Sequence, residues 1–343
     1  MRYRWIVLVA GIAGCFTSPD ESLWKSRRDA RSDAAAPRSE LGPDGAPDRG
    51  GSGDGPAADL STDTSPAKSC WSSGAPTFST PVALDAVNSA STDIEPMLSP
   101  DGLTLYFASS RDGNMDAFLA TRPSAGAPFA NVQNNTQVGT ADSETRFALS
   151  FDGLEAFLAT NRAGGQGGAD IWIATRTSAA TPFAPADFSP AAPLNSTQNE
   201  WDPYPSFDGK RLYYAIQDWS SGLGSTDLVV ATRSAAPGSY SPPQAIQGVN
   251  SPSKEDNPAV TGDELVILFG SDRPGGKGML DIWYATRADT ASAFSNATPL
   301  STLNTADRES ELYISPDGCE LFFASDRPGG KGGWDLYRAS ASP

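Results

Sequence analysis

Eight carboxylates recur in register along the chain: Asp93 and Glu95, Glu144, Glu200 and Asp202, Glu255, Glu309 and Glu311. Two such groups facing each other could act as acid and base in glycoside hydrolysis. That chemistry needs one raised pKa and a defined separation. The same groups could hold a hard cation such as Ca2+. The chain has no histidine. This removes the commonest general base, the Ser-His and Cys-His nucleophile pairs, and most catalytic zinc sites.

Arginines recur with the acids, at Arg111, Arg162, Arg273 and Arg327. Each is expected to pair with a neighbouring carboxylate, Glu95 and Glu311 among them, and so to pin a loop. A second set, Asp116, Asp170, Asp227, Asp281 and Asp335, is expected to accept loop amide hydrogen bonds. The pattern fails in one copy. There Glu200 and Asp202 lack the loop arginine and stand beside Trp201, Tyr204 and Trp219, which are expected to be exposed aromatics. These five are the candidate ligand-binding set, for a sugar, a cationic peptide or Ca2+. The alternative is that Arg146, which stands where other copies have Glu95, Asp202, Asn257 or Glu311, neutralises Asp202.

The elements that position these residues form a repeat. Asp101, Asp152, Asp208, Asp263 and Asp317 mark turns separated by 51, 56, 55 and 54 residues. Each copy holds four short strand signals, the first pair joined by an Asp-Gly or related turn. In the second copy they are Phe147–Leu149, Ala156–Ala159, Ile171–Ala174 and a weaker one around Phe183–Phe188. Four antiparallel strands in a repeat of this length predict a β-propeller blade. The fifth copy ends before its fourth strand, while a spare strand signal, residues 78–84, precedes the first copy. The expected fold is therefore all-β, a five-bladed propeller of four-stranded antiparallel blades over 71–343, with 78–84 completing the C-terminal blade. The first strands should line the axis and bring the carboxylates to one mouth of the channel.

The blocks Ser315-Pro316-Asp317-Gly318 and Ala324 to Asp335, together with the recurring Thr-Arg endings, resemble WD40-like, TolB-type propeller repeats of bacterial envelope proteins. The resemblance covers about 265 residues. It implies a binding scaffold in the envelope, with no fused peptidase or peptidoglycan-binding domain. The Gly-Gly-Lys-Gly runs at Gly275–Gly278 and Gly329–Gly332 lack the following Ser or Thr and the helix of a phosphate loop.

The N-terminus suits this address. Arg2 and Arg4 precede an apolar run, Ile6 to Ala13, too short to span a bilayer. Ile12-Ala13-Gly14-Cys15 resembles a lipobox, so residues 1–14 are expected to be a signal peptide and Cys15 the lipid attachment site. Phe16 after the cysteine favours the outer membrane by resemblance to enterobacterial sorting. Residues 15–70 are rich in Pro, Gly, Ala, Ser and Asp, with the composition of a disordered tether. Its reach is on the order of 40 Å. Export permits a disulfide, and strand order brings Cys70 towards Cys319. A latch between them is one expectation and two free thiols the other.

The net charge of −16 argues against nucleic acid. The expected function is a monomeric, non-enzymatic, lipid-anchored binding or assembly module that recognises an envelope protein or glycan. It touches the membrane through its lipid alone and has no cofactor, apart from the Ca2+ considered above. The runner-up is a carbohydrate-active enzyme using the mouth carboxylates.

Overall fold

The computed structural model describes residues 69–341. The signal segment, Cys15 and nearly all of the tether lie outside the described residues. The first strand is β1, Val82–Ala83. Blade one follows with β2 (Asp93–Leu98), β3 (Thr104–Ser109), β4 (Asp116–Thr121) and β5 (Ala130–Asn134). Blade two holds β6 (Glu144–Leu149), β7 (Glu155–Thr160), β8 (Asp170–Thr175) and β9 (Ser189–Pro190). Blade three holds β10 (Asn199–Pro205), β11 (Arg211–Gln217), β12 (Thr226–Thr232) and β13 (Gln244–Ala245). Blade four holds β14 (Glu255–Val260), β15 (Val266–Ser271), β16 (Asp281–Thr286) and β17 (Ser295–Pro299). Blade five holds β18 (Glu309–Ile314), β19 (Glu320–Ser325) and β20 (Asp335–Ser340), and β1 adds to β20 as its fourth strand.

The ring therefore closes as the strand count requires, with Val82 opposite Arg338 and Ala83 opposite Tyr337. Backbone bonds from Ser79 N to Ser340 O (2.8 Å) and from Leu84 N to Leu336 O (2.9 Å) flank the pair. Burial explains the layering. The innermost strands β2, β6 and β14 are buried at every residue, whereas β5 and β17 are mostly exposed. Outer strands carry little apolar sequence signal for that reason. In blade two the aromatic stretch holds a short 3-10 turn, Pro185–Asp187, and the strand begins only at Ser189.

A disulfide joins Cys70 to Cys319, with their Cα atoms 5.4 Å apart. Its neighbour Trp71 fills a place that arginines hold elsewhere. In blades one to four an arginine ends the third strand. Its Nε donates to a carbonyl of the first turn: Arg122 to Gly102, Arg176 to Gly153, Arg233 to Gly209, Arg287 to Glu264. Each guanidinium also stacks on an aromatic ring, Phe129, Phe183, Tyr240 or Phe294. Blade five has Ala341 at that position, its N–H bonded to Cys319 O. Trp71 Nε1 donates to Gly318 O at 3.2 Å instead, and its ring meets Phe78 at 6.4 Å. The entering chain thus supplies the side chain that blade five lacks.

Candidate functional site

Each inner strand carries a buried carboxylate at its channel-mouth end, as the first residue in four blades and as the second, Glu200, in blade three. The loops between the second and third strands of each blade share that mouth. Arg111 binds Asp93 (2.6 Å), Arg162 binds Glu144 (3.1 Å), Arg273 binds Glu255 (2.8 Å) and Arg327 binds Glu309 (3.2 Å). The loop arginines are therefore paired, but Glu95 and Glu311 are not their partners. Each Nη2 also donates to a backbone carbonyl: Val87, Val138, Val249 or Leu303. One guanidinium so ties a loop, an inner strand and the preceding connection. Burial pushes the Glu144 and Glu255 carboxyls up, with hydrogen bonds and the arginines opposing it.

Four of the loop aspartates do accept amide bonds as expected. Asp170, Asp227, Asp281 and Asp335 each take the N–H groups of two successive loop residues, such as Lys277 and Gly278 on Asp281. A Cβ on Gly276 would lie 2.0 Å from Asp281 Oδ2, and one on Gly278 2.0 Å from Asp307 O. The glycine-rich runs are shaped by these close approaches, and Lys277 Nζ donates to Ser301 O at 2.6 Å.

Blade three solves the missing arginine without a cation. Asp218 stands at the arginine position, and Ile216 replaces the Ser or Thr that supports it elsewhere. Tyr214, where other blades have Phe or Leu, donates its hydroxyl to Leu194 O at 3.0 Å. That carbonyl is the equivalent of Val87 O and Val249 O. Glu200 is left 0% exposed, accepting from Ser196 Oγ at 2.5 Å while its Oε2 has no hydrogen bond. Burial pushes its carboxyl up to about 7.

The residues two places further along the inner strands behave differently. Every inner strand carries a bulge, for instance between Ile94 and Met97 or between Trp201 and Tyr204. The bulge residues Glu95, Arg146, Asp202, Asn257 and Glu311 have φ of 57°, 43°, 60°, 52° and 60°. Left-handed backbone costs a non-glycine residue about 1–2 kcal/mol, so five repeats of it are held by their surroundings. Pro96, Pro203 and Pro258 follow three of these residues, at the point where the ladder is interrupted and an N–H is dispensable. A bulge re-aims its side chain. Glu95, Asp202 and Glu311, from three different blades, converge with one oxygen each within 4.8 Å of the others.

Below this ring the channel is plugged. Arg146, 0% exposed, sends Nη2 from blade two to Leu312 O of blade five at 3.0 Å. Tyr204 sends its hydroxyl from blade three to Ile314 O at 2.9 Å. The guanidinium lies 6.0 Å from the Tyr204 ring. Arg146 thus makes no ion pair within 4.0 Å of Asp202, so the neutralisation considered from sequence takes the weaker form of a field. Burial pushes the Asp202 carboxyl up to about 7, with Arg146 opposing. Lys254 binds Asp256 at 2.7 Å beside the ring.

The five candidate ligand-binding residues are therefore divided. Glu200 belongs to the mouth layer and Asp202 to the axial ring. Tyr204, buried, belongs to the plug. Trp201 and Trp219 are half-buried, and Trp219 packs against the core. Tyr204 is thus not the exposed aromatic that the sequence suggested. A separate groove of about 460 Å3 lies at the outer seam, lined by Val82–Val87 and Gly126–Phe129, and none of the ring residues lines it.

The geometry defines a five-bladed β-propeller with a plugged channel and an axial acidic ring. No protein-family model matches the chain, and no curated protein matches its sequence. Solved structures match its fold. TolB from Acinetobacter baumannii aligns at 14% identity and TM-score 0.44, over 74% of this chain and 56% of TolB. The chain thus spans little more than half of TolB's length. An endo-arabinase from Bacteroides thetaiotaomicron aligns at 13% identity and TM-score 0.51, over 78% of this chain and 98% of the enzyme. A thermostable family-43 glycoside hydrolase aligns at 15% identity and TM-score 0.50, over 76% and 98%. The two likenesses at TM-score 0.50 and 0.51 establish the shared fold and nothing beyond it.

Proposed function

We propose that the chain is a non-catalytic binding or assembly scaffold of the bacterial envelope. It is exported, lipidated at Cys15, held at the outer membrane, and presents a propeller face to a protein or glycan. One observation carries the non-catalytic reading: the carboxylates are engaged in the structure itself. Four mouth acids are bound to loop arginines, and the fifth, Glu200, is buried beside Tyr214 of β11. The lipid anchor rests on the sequence of residues 1–15.

The hydrolase reading draws on the raised carboxyls of Asp202, beside Glu95 and Glu311, and of Glu200. Against it, retaining hydrolysis places carboxyl groups about 5–5.5 Å apart and inverting hydrolysis about 6.5–9.5 Å. The ring oxygens lie within 4.8 Å, and Glu95 and Asp202 are buried. Their burial leaves a sugar ring no exposed carboxyl to reach at Glu95 or Asp202. The test is a panel of plant and bacterial glycans incubated with the full-length protein, alongside metabolic palmitate labelling. Labelling that disappears in Cys15→Ser, with no release of reducing ends, supports the scaffold. Reducing ends released by the wild type and lost in Asp202→Asn would establish the hydrolase instead.

A further inference from the structure

The groove at the outer seam sits beside a charge that its surroundings do not cancel. Arg338 of β20 lines it. Arg338 Nη2 is paired with Glu320 of β19, and Arg122, which follows β4 in blade one, reaches the same carboxylate at 3.7 Å. Among the described residues, the ion pairs at this point join two guanidiniums to one carboxylate, so one positive charge is left over. Burial pushes the Arg122 guanidinium pKa down; Glu320 opposes the shift and Arg338 adds to it.

Unmade hydrogen bonds at the same point are an independent observation. Arg122 is 5% exposed, and its Nη1 is buried without a partner, as is Nε of Arg338. The repeat shows where the Nη1 bond belongs. Arg176 Nη1 donates to Thr181 O, five residues on, at 2.7 Å. Arg233 Nη1 donates to Gly238 O, also five residues on, at 3.2 Å. The equivalent carbonyl in blade one is that of Ala127, and it takes no such bond. Ala127 lines the groove, and so does Phe129, the ring on which Arg122 stacks at 4.6 Å. The unmatched charge and the unmatched donors therefore lie at the groove itself.

The rest of the lining is largely apolar, with Val82, Leu84, Val87 and Pro128 beside Phe129. Ser79 meets Ser340 at one end and Leu84 meets Leu336 at the other, with the lining acid Asp85 beyond. Four strand residues separate the two ends, about 13 Å. The volume of about 460 Å3 is in the range of small-molecule sites, about 300–1,000 Å3.

We propose that this groove binds a fatty acid, its carboxylate on Arg338 and its acyl chain along β1 against Pro128 and Phe129. The leftover charge selects an anionic head, and the lining selects a chain without polar groups. A peptide would bring backbone amides onto that lining, where β1 offers an edge of only two residues to bond them. The site is independent of whether a propeller face binds a protein or a glycan.

The test is calorimetric titration of the full-length protein with octanoate, decanoate and dodecanoate below their micelle concentrations. The protein carries Cys15→Ser, so that no acyl chain at that residue competes. The expected result is one site per chain, with affinity rising about two- to fourfold per added methylene. The alcohol of equal length should bind about tenfold more weakly, since it brings no charge to Arg338. Arg338→Gln should cost the carboxylates about tenfold and leave the alcohol unchanged. Val82→Asp should weaken both, and at 66% exposure the substitution spares the fold. Leu223→Asp, equally exposed between β11 and β12, should change neither. Affinity that ignores chain length, alcohols that bind as well as acids, or carboxylate binding undiminished in Arg338→Gln would overturn the proposal. Saturation by an acidic peptide in place of the acyl series would do the same. If Arg338→Gln fails to fold by circular dichroism, the acid–alcohol comparison on the unsubstituted groove and Val82→Asp still decide.

Discussion

Removing the Cys70–Cys319 bridge should destabilise the propeller far more than its two-residue closing strand suggests. The bridge spans 249 residues of sequence. Cross-linking a loop of that length removes chain entropy from the unfolded state, about 5 kcal/mol in the loop-closure treatment. For a domain of this size each kcal/mol moves Tm by about 2 °C, so the expected drop is about 10 °C. The perturbation is Cys70→Ser with Cys319→Ser, compared with wild type under and without a thiol-free reductant, in a scanning calorimeter. The reduced wild type and the double variant should melt together, both below the oxidised protein. A separate variant, Trp71→Phe, keeps the ring against Phe78 but removes the bond to Gly318 O, at a cost of about 1 kcal/mol. If oxidised wild type, reduced wild type and the double variant melt within about 2 °C of one another, the entropic reasoning fails.

Three further outcomes test the repeat's internal logic. Glu200 has a folded pKa of about 7, above its unfolded value, so the folded state holds the proton more tightly. Stability should be greatest below about pH 4.5 for this group and fall as pH rises toward 7, by about 3 kcal/mol. Glu200→Gln should therefore raise the melting temperature at pH 8 and leave it nearly unchanged at pH 5, as thermal melts at the two pH values would reveal. Glu255→Gln should do the opposite at neutral pH, costing about 3 kcal/mol in urea unfolding, because it strands the partly buried Arg273. Gly278→Ala should cost about 2 kcal/mol or more, because its Cβ would lie 2.0 Å from Asp307 O; an unchanged urea midpoint would contradict that contact.

Much of the fold was legible because its signals are local. An Asp-Gly turn between two apolar runs specifies a hairpin wherever it falls, and the count of strands leaves residues 78–84 as the closing piece. The axial ring was harder to see. Strict alternation along a strand places Asp93 and Glu95 on one side together, and that reasoning puts all the acids at the mouth. The bulge inserts one residue and turns Glu95 inward, away from Arg111. The residue-by-residue correspondence of Glu95, Arg146, Asp202, Asn257 and Glu311 was visible, as were the prolines after three of them, but a bulge leaves no hydrophobic pattern to read. Tyr214 and Trp71 were missed for a different reason. Each replaces an arginine from another point in the sequence, and only the shared carbonyl reveals the equivalence.

The two side chains that plug the channel also change what a break at the seam would do. Arg146 and Tyr204 run like spokes from blades two and three to blade five, which are not neighbours around the rim. A ring held only at its rim would open like a fan once its clasp was released. With spokes fastened through the hub, blade five stays in place when the clasp goes. Local opening should then be confined to the edge, as fraying of residues 69–84, while hub amides exchange only through global unfolding.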